Sequence, residues 1–261
     1  MKIIVIFRES LRHRRKKWAE YILEFLILFL AVFLGFLAEN AREHMVERKK
    51  ERSLIHLLKK DLASDTAALR SLIKVVMPSV NNLADSTVQL MNSSSIKGNE
   101  QNIIATWMNA TNWTNFTPNE RALSQFKYGG RFDLIEHENV KDEILKYIQL
   151  INFYNNYQSG MIPAEHSVDT LQSALLIIHD IQVLTKIFYK KIIVDSLLMP
   201  DDIPFGMKFR TYDPAEFKRI ARRIEQINYL QNDMLGQYER LYNEAVKVIA
   251  ILDKEYPDIK I

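Results

Sequence analysis

The sequence predicts an all-α protein: one N-terminal transmembrane helix continuing into a long stalk helix, with an antiparallel helical-bundle extracytoplasmic domain. Three observations carry this expectation. Tyr21 to Ala38 is a stretch of eighteen residues with a single charge, Glu24. Only 7 Gly and 7 Pro occur in 261 residues, well below average usage of roughly 7% and 5%, which leaves too few turn residues for a β fold. From Ile55 onward the apolar residues recur at steps of three and four, the spacing of a helix face.

The apolar stretch is the first element. At about 1.5 Å per residue it reaches roughly 27 Å, close to the roughly 30 Å hydrocarbon core of a bilayer. Trp18 and Tyr21 stand where interfacial aromatics belong, and the run Arg12-His13-Arg14-Arg15-Lys16-Lys17 precedes them. By the positive-inside rule this basic end stays cytoplasmic, so the chain crosses N-in and C-out. A cleaved signal peptide has similar regions, but cleavage after Ala38 would place Phe36 where a small residue is required. Residues 1–17 carry seven basic groups against one acid, a net +6, which leaves the remainder at −3. The basic character of the chain therefore belongs to its tail, and no nucleic-acid partner is expected.

Glu24, Ala31, Gly35 and Ala38 fall on one stripe of this helix. The small residues at 31 and 35 form the small-xxx-small pattern that lets membrane helices approach closely. Glu24 on the same stripe reads either as an intramembrane functional carboxylate or as a group that snorkels to the cytoplasmic interface.

Beyond the membrane, residues 39–54 alternate charges of both signs and read as a helical stalk. The remainder, 55–261, reads as the bundle. Ile55, Leu58, Leu62, Leu69, Leu72 and Val76 follow heptad spacing interrupted by Asp65, and Val80, Leu83, Thr87 and Leu90 predict a shorter helix returning after Pro78. A small helix near Glu100 to Asn109 follows, then a helix over Pro118 to Tyr128 closed by Gly129-Gly130. A long helix is predicted over Asn139 to Gln158. After it, a kink or break at Gly160 to Pro163 precedes another helix, deeply packed, running to about Met199. Asp213-Pro214 supplies an N-cap and a first-turn proline for the last helix. Its seam is the clearest in the chain: Phe217, Ile220, Ile224, Ile227, Gln231, Met234, Tyr238, Leu241, Ala245, Val248 and Leu252.

The motifs of known chemistries are absent from the sequence. There is no cysteine, hence no thiol nucleophile or thiolate metal site. The seven glycines are too dispersed for a phosphate-cradling loop, and no His-Glu-x-x-His or Gly-x-Ser-x-Gly pattern occurs. No enzyme activity, cofactor or metal is expected. The segment Trp107 to Thr117 is the most distinctive, with Asn-x-Thr sequons at 109, 112 and 115. Its Trp107, Trp113 and Phe116 read either as bundle packing or as a partner-binding loop.

Glu24, the small residues seven and eleven positions on (Ala31 and Gly35), Asn40 and Glu43 resemble the membrane segment of a domain-of-unknown-function family of single-span inner-membrane proteins from Bacteroidetes-type bacteria. Gly130-Arg-Phe-Asp-Leu-Ile135 is similar to a second element of that family, followed by the helix Val140 to Tyr157. Leu37 and Glu39 depart from the polar amides of the membrane-exit pattern. The resemblance implies a bacterial inner-membrane anchor and a periplasmic helical domain, and it implies no activity. The functional expectation is a membrane-anchored scaffold or assembly protein, whose partners are the lipid bilayer and either further copies of itself or another membrane protein. Two alternatives are an accessory subunit of an ion-driven or ion-conducting complex using Glu24, and a periplasmic ligand sensor acting through a partner.

Overall fold

The structure, a computed structural model, describes residues 2–111, 115–193 and 197–260. Among these residues every regular element is helical. The main helices are α1 (Lys2–Ser71), α2 (Met77–Asn92), α3 (Glu100–Ala110), α4 (Arg121–Tyr128), α5 (Glu138–Leu175), α6 (Ile178–Ile193) and α7 (Pro214–Glu255). Two compact units are formed, Met1–Leu54 and Ile55–Ile261.

In the first unit every residue from 20 to 47 is exposed. Among the described residues one helix, the one carrying Tyr21 to Ala38, is long and apolar enough to cross a membrane. Phe25, Phe29 and Phe33 stack along it at successive turns, with ring centres 6.3 and 5.9 Å apart.

In the second unit the heptad series is buried at Ile55, Leu58, Leu62, Leu69 and Leu72. The helix does not reverse at Pro78 as the sequence pattern predicts. A π-helical turn, Leu72–Val76, passes straight into α2, and its wider hydrogen bond runs from the Met77 N–H to the Leu72 carbonyl. Proline breaks a helix because it lacks an N–H and its ring strikes the carbonyl four residues back. The wider turn just below Pro78 relieves both constraints. It also resets the phase of the core. The buried positions run 55, 58, 62, 65, 69, 72 and then 77, 80, 84, 87, 91, so a single step of five replaces one of four. Met77, Ala84 and Met91 therefore occupy the core, whereas Val76, Leu83 and Leu90 are only partly buried.

Helix α7 carries its seam as the periodicity predicts. All eleven of its seam residues, Gln231 included, are buried. Asp213 caps its amino end by accepting the Ala215 N–H at 3.0 Å, ahead of Pro214 in the first turn. At about 2 kcal/mol for each fully buried aliphatic side chain, this face stabilises the unit far more than the helix propensity of its residues does. Helix α2 packs against α7 and α3, and α5 packs against α7. Three polar pairs tie the first helical run to α7: Lys59 to Asp253 at 2.5 Å, Arg70 to Tyr242 at 2.8 Å and Asn81 to Asn232 at 2.7 Å. Lys59 is itself buried and also donates to the Ile259 carbonyl at 2.5 Å, which holds the C-terminal segment down.

Two further expectations are corrected. Helix α5 runs unbroken through Gly160 and Pro163 to Leu175. The break falls instead at Leu176–Ile177, where Arg210 donates its N–H to the Leu175 carbonyl at 2.8 Å and its guanidinium to the Ser173 carbonyl at 2.9 Å. The open carbonyls of the helix end are thus capped by a distant loop. Helix α6 is half-buried and not deeply packed, since Leu184 is its one buried residue among the described side chains. Gly129 and Gly130 close α4 as expected. The Gly129 N–H donates to the Gln125 carbonyl, a Cβ at 129 would lie 2.5 Å from that oxygen, and Gly130 takes the left-handed conformation.

Candidate functional site

Four regions bear on function. On the apolar helix, Glu24, Ala31, Gly35 and Ala38 are all exposed, and a Cβ added at Gly35 meets nothing within 4 Å. At 100° per residue the four lie within one narrow stripe, and the Phe25–Phe29–Phe33 ladder lies on roughly the opposite side. One face is therefore bulky and the other nearly flat. Just beyond the stripe Arg42 and Glu39 form an ion pair at 2.5 Å on the same helix, and this hydrogen bond holds the Glu39 carboxyl below its ordinary range.

The aromatic segment divides. Trp107 is completely buried and Phe116 nearly so, while Trp113 lies outside the described residues. Phe116 is held from both sides by one phenol: the Tyr154 hydroxyl accepts the Phe116 N–H at 3.0 Å and donates to its carbonyl at 2.8 Å. The sequon at Asn109 is closed to modification. Its amide donates to the Ala105 and Leu198 carbonyls and accepts the Leu198 N–H, all within 3.0 Å, which docks the 197–199 segment on α3.

The third region is a pair of buried carboxylates one turn apart, Asp61 and Asp65, of which the sequence pattern marks only Asp65, as an interruption of the heptad. Asp61 accepts the Ala122 N–H at 3.0 Å and the Arg121 Nε at 2.9 Å. Asp65 accepts the Asn119 backbone N–H at 3.1 Å, its side-chain amide at 2.7 Å and the Tyr147 hydroxyl at 3.3 Å. The amino end of α4 has no capping side chain of its own, so α1 supplies the acceptors for its first turn. Burial pushes the Asp65 carboxyl above its ordinary value, and the hydrogen bonds from Asn119 and Tyr147 oppose that shift without cancelling it. Burial and the neighbouring Asp65 charge raise the Tyr147 hydroxyl. The signal in the sequence was an acid at a core heptad position, which requires partners when buried.

The fourth is an open cavity of about 950 Å³ beside the π-helical turn, with Arg70 and Lys74 on one wall and Glu239 and Tyr242 on the other.

No family model, curated protein or solved structure matches the chain.

Chemically, the four regions divide into packing and recognition. Asp61, Asp65, Tyr147 and Tyr154 have their hydrogen-bonding capacity directed to named backbone and side-chain partners, and they fix α4 and the segment before it. The described residues contain no cluster of three or more metal-ligating side chains. Among the described residues, the small-residue stripe and the cavity at the π-helical turn are two places with groups left open to a partner.

Proposed function

We propose that the chain is a membrane-anchored helical scaffold that self-associates, with the small-residue stripe of its apolar helix as one contact. The observation that carries this reading is the asymmetry of α1 between Tyr21 and Ala38. Ala31, Gly35 and Ala38 leave one side flat, stacked phenylalanines occupy the other, and no other part of the first unit covers either. Lipid gives helices no hydrophobic reason to associate, so close backbone approach along a flat face is what drives their packing.

The anchored topology rests on the basic tail, which favours a cytoplasmic N-terminus and an outer domain in the periplasm of a bacterial inner membrane. The resemblance to the single-span family points the same way. An antiparallel bundle for the outer domain is supported by the order of its polar ties: as positions rise through 59, 70 and 81, their partners on α7 fall through 253, 242 and 232.

Sedimentation of the detergent-solubilised protein over a range of concentrations tests the proposal. Self-association that weakens on dilution is expected, and a strict monomer at every concentration refutes it. A second reading is favoured by one residue: Glu24 is exposed on the flat face, where a carboxylate inside a membrane normally serves an ion or proton path. In that reading the chain is an accessory subunit of an ion-driven complex. Glu24→Gln then abolishes transport and leaves assembly intact, and wild-type transport by this variant removes the reading.

A further inference from the structure

The cavity beside the π-helical turn combines features that the packing of the domain does not use. Arg70 and Lys74 stand one turn apart on the same helix face, where like charges repel. Neither has an acidic partner among the described residues. The Arg70 guanidinium is instead held in place by a neutral group: it donates to the Tyr242 hydroxyl at 2.8 Å and lies 5.7 Å from the centre of the same ring. That leaves most of its donors free and fixes their position. The rest of the wall is largely apolar, with Ile73 partly buried and Val75 61% exposed beside the charges. Val75 faces solvent because the π-helical turn inserts one residue and carries it off the core seam. Glu239 on the facing helix lines the same cavity. Two cations against one carboxylate leave the walls a single positive charge in excess.

We propose that this cavity is a binding site for a small organic monoanion, a carboxylate with an apolar body, whose head group is taken by Arg70 and Lys74 and whose body lies along Ile73, Val75 and the Tyr242 ring. A guanidinium offers two parallel donors to a carboxylate, and a volume of about 950 Å³ is within the range of about 300–1,000 Å³ that small-molecule sites occupy. The single excess charge selects a monoanion over a dianion, which Glu239 repels. The site is separate from the membrane stripe and does not depend on self-association.

Three probes that share one body isolate the head group: 4-phenylbutyrate, 4-phenylbutylammonium and 4-phenylbutan-1-ol. Binding of each to the full chain in lipid nanodiscs, against empty nanodiscs, is read by saturation-transfer NMR and titration calorimetry. The carboxylate is expected to bind, and the ammonium is not. The double variant Arg70→Gln, Lys74→Gln is expected to weaken binding by about tenfold or more. Arg222→Gln, at an exposed position of α7 outside the cavity, is expected to leave it unchanged. Both altered side chains are exposed, and an unchanged circular dichroism melt confirms that the double variant still folds. Val75→Glu, which sets a negative charge at the rim, is expected to weaken the carboxylate as well. Equal binding of the alcohol or the ammonium, unchanged binding in the double variant, or no carboxylate binding at about 10 mM each overturns the proposal.

Discussion

Asp61 caps a helix that begins sixty residues further along the chain: its buried carboxylate accepts the Ala122 N–H at 3.0 Å, in the first turn of α4. The same carboxylate takes the Arg121 guanidinium in an ion pair, so one side chain neutralises a charge and satisfies a helix end at once. Removing it strands the Ala122 N–H in a buried setting and leaves Arg121 without its partner. Asp61→Ala is expected to destabilise the domain by about 2 kcal/mol, chiefly the cost of leaving the buried Ala122 N–H unsatisfied, since the Arg121 side chain is itself largely exposed, as read by urea denaturation in mild detergent. Asp61→Asn, which keeps one acceptor, should lose less. A loss under about 0.5 kcal/mol for the alanine variant, typical of a surface change, would contradict the capping role.

Asp65 makes stability depend on pH in a defined direction. Its folded carboxyl titrates above the ordinary value of 3.8, chiefly because burial disfavours the charge. An acid with a raised folded value contributes fully below its unfolded value and loses that contribution as pH rises through the folded one. The stability of wild type relative to Asp65→Asn should therefore decline from just below pH 4 upward and level off once Asp65 has ionised in the fold. Paired denaturation curves at several pH values measure this difference, and a difference that rises with pH would reverse the assignment.

Tyr154 holds Phe116 through a hydroxyl that serves as acceptor and donor to the same residue. Tyr154→Phe preserves the ring packing, centred 6.0 Å from Phe116 and 5.9 Å from Tyr238, and deletes only the oxygen. Two buried backbone groups then lose a partner, for an expected cost of about 2 kcal/mol. Thermal unfolding of the pair reads this, together with faster proteolysis in the segment around residues 115–117. Equal melting temperatures would mean that water replaces the hydroxyl without loss.

On the membrane stripe, Ala31→Leu or Gly35→Leu should shift the oligomer towards smaller species. The shift is modest, because each interhelical contact in a membrane is worth on the order of 1 kcal/mol or less. Substitution of Phe29 or Phe33, on the opposite face, should leave assembly unchanged. Sedimentation in mild detergent compares the four variants, and equal effects on both faces would place self-association in the outer domain.

Much of the helical order was legible in the sequence because it rests on local rules. The α7 seam is the strongest case, since Asp213-Pro214 marks its start and every predicted core position along it is buried. What was not legible depends on contacts between distant segments. Gly160 and Pro163 look like breakers, yet α5 ends only where Arg210 arrives to take the carbonyls of Ser173 and Leu175. Pro78 looks like a reversal because its tolerance depends on one widened turn below it. The cavity had no signature at all, since nothing in the spacing of Arg70 and Lys74 sets them apart from other charges until Tyr242 is placed opposite them. Asp61 and Asp65 were visible as residues, but their partners at 119, 121, 122 and 147 were not.

The π-helical turn has a consequence for how this chain tolerates changes in length. Along a regular helix, deleting one residue rotates everything beyond it by about 100° and turns the core-facing side chains out to solvent. Between Leu72 and Met77 the opposite holds, since that interval already contains one residue more than an α-helix needs. Loss of a residue from 73–76 would convert the five-step into a four-step and leave Met77, Val80 and Ala84 facing inward, at the cost of setting Pro78 in ordinary α geometry. This short interval is thus a slack link, where the two halves of the helix can be brought into a single continuous phase once Pro78 is also replaced.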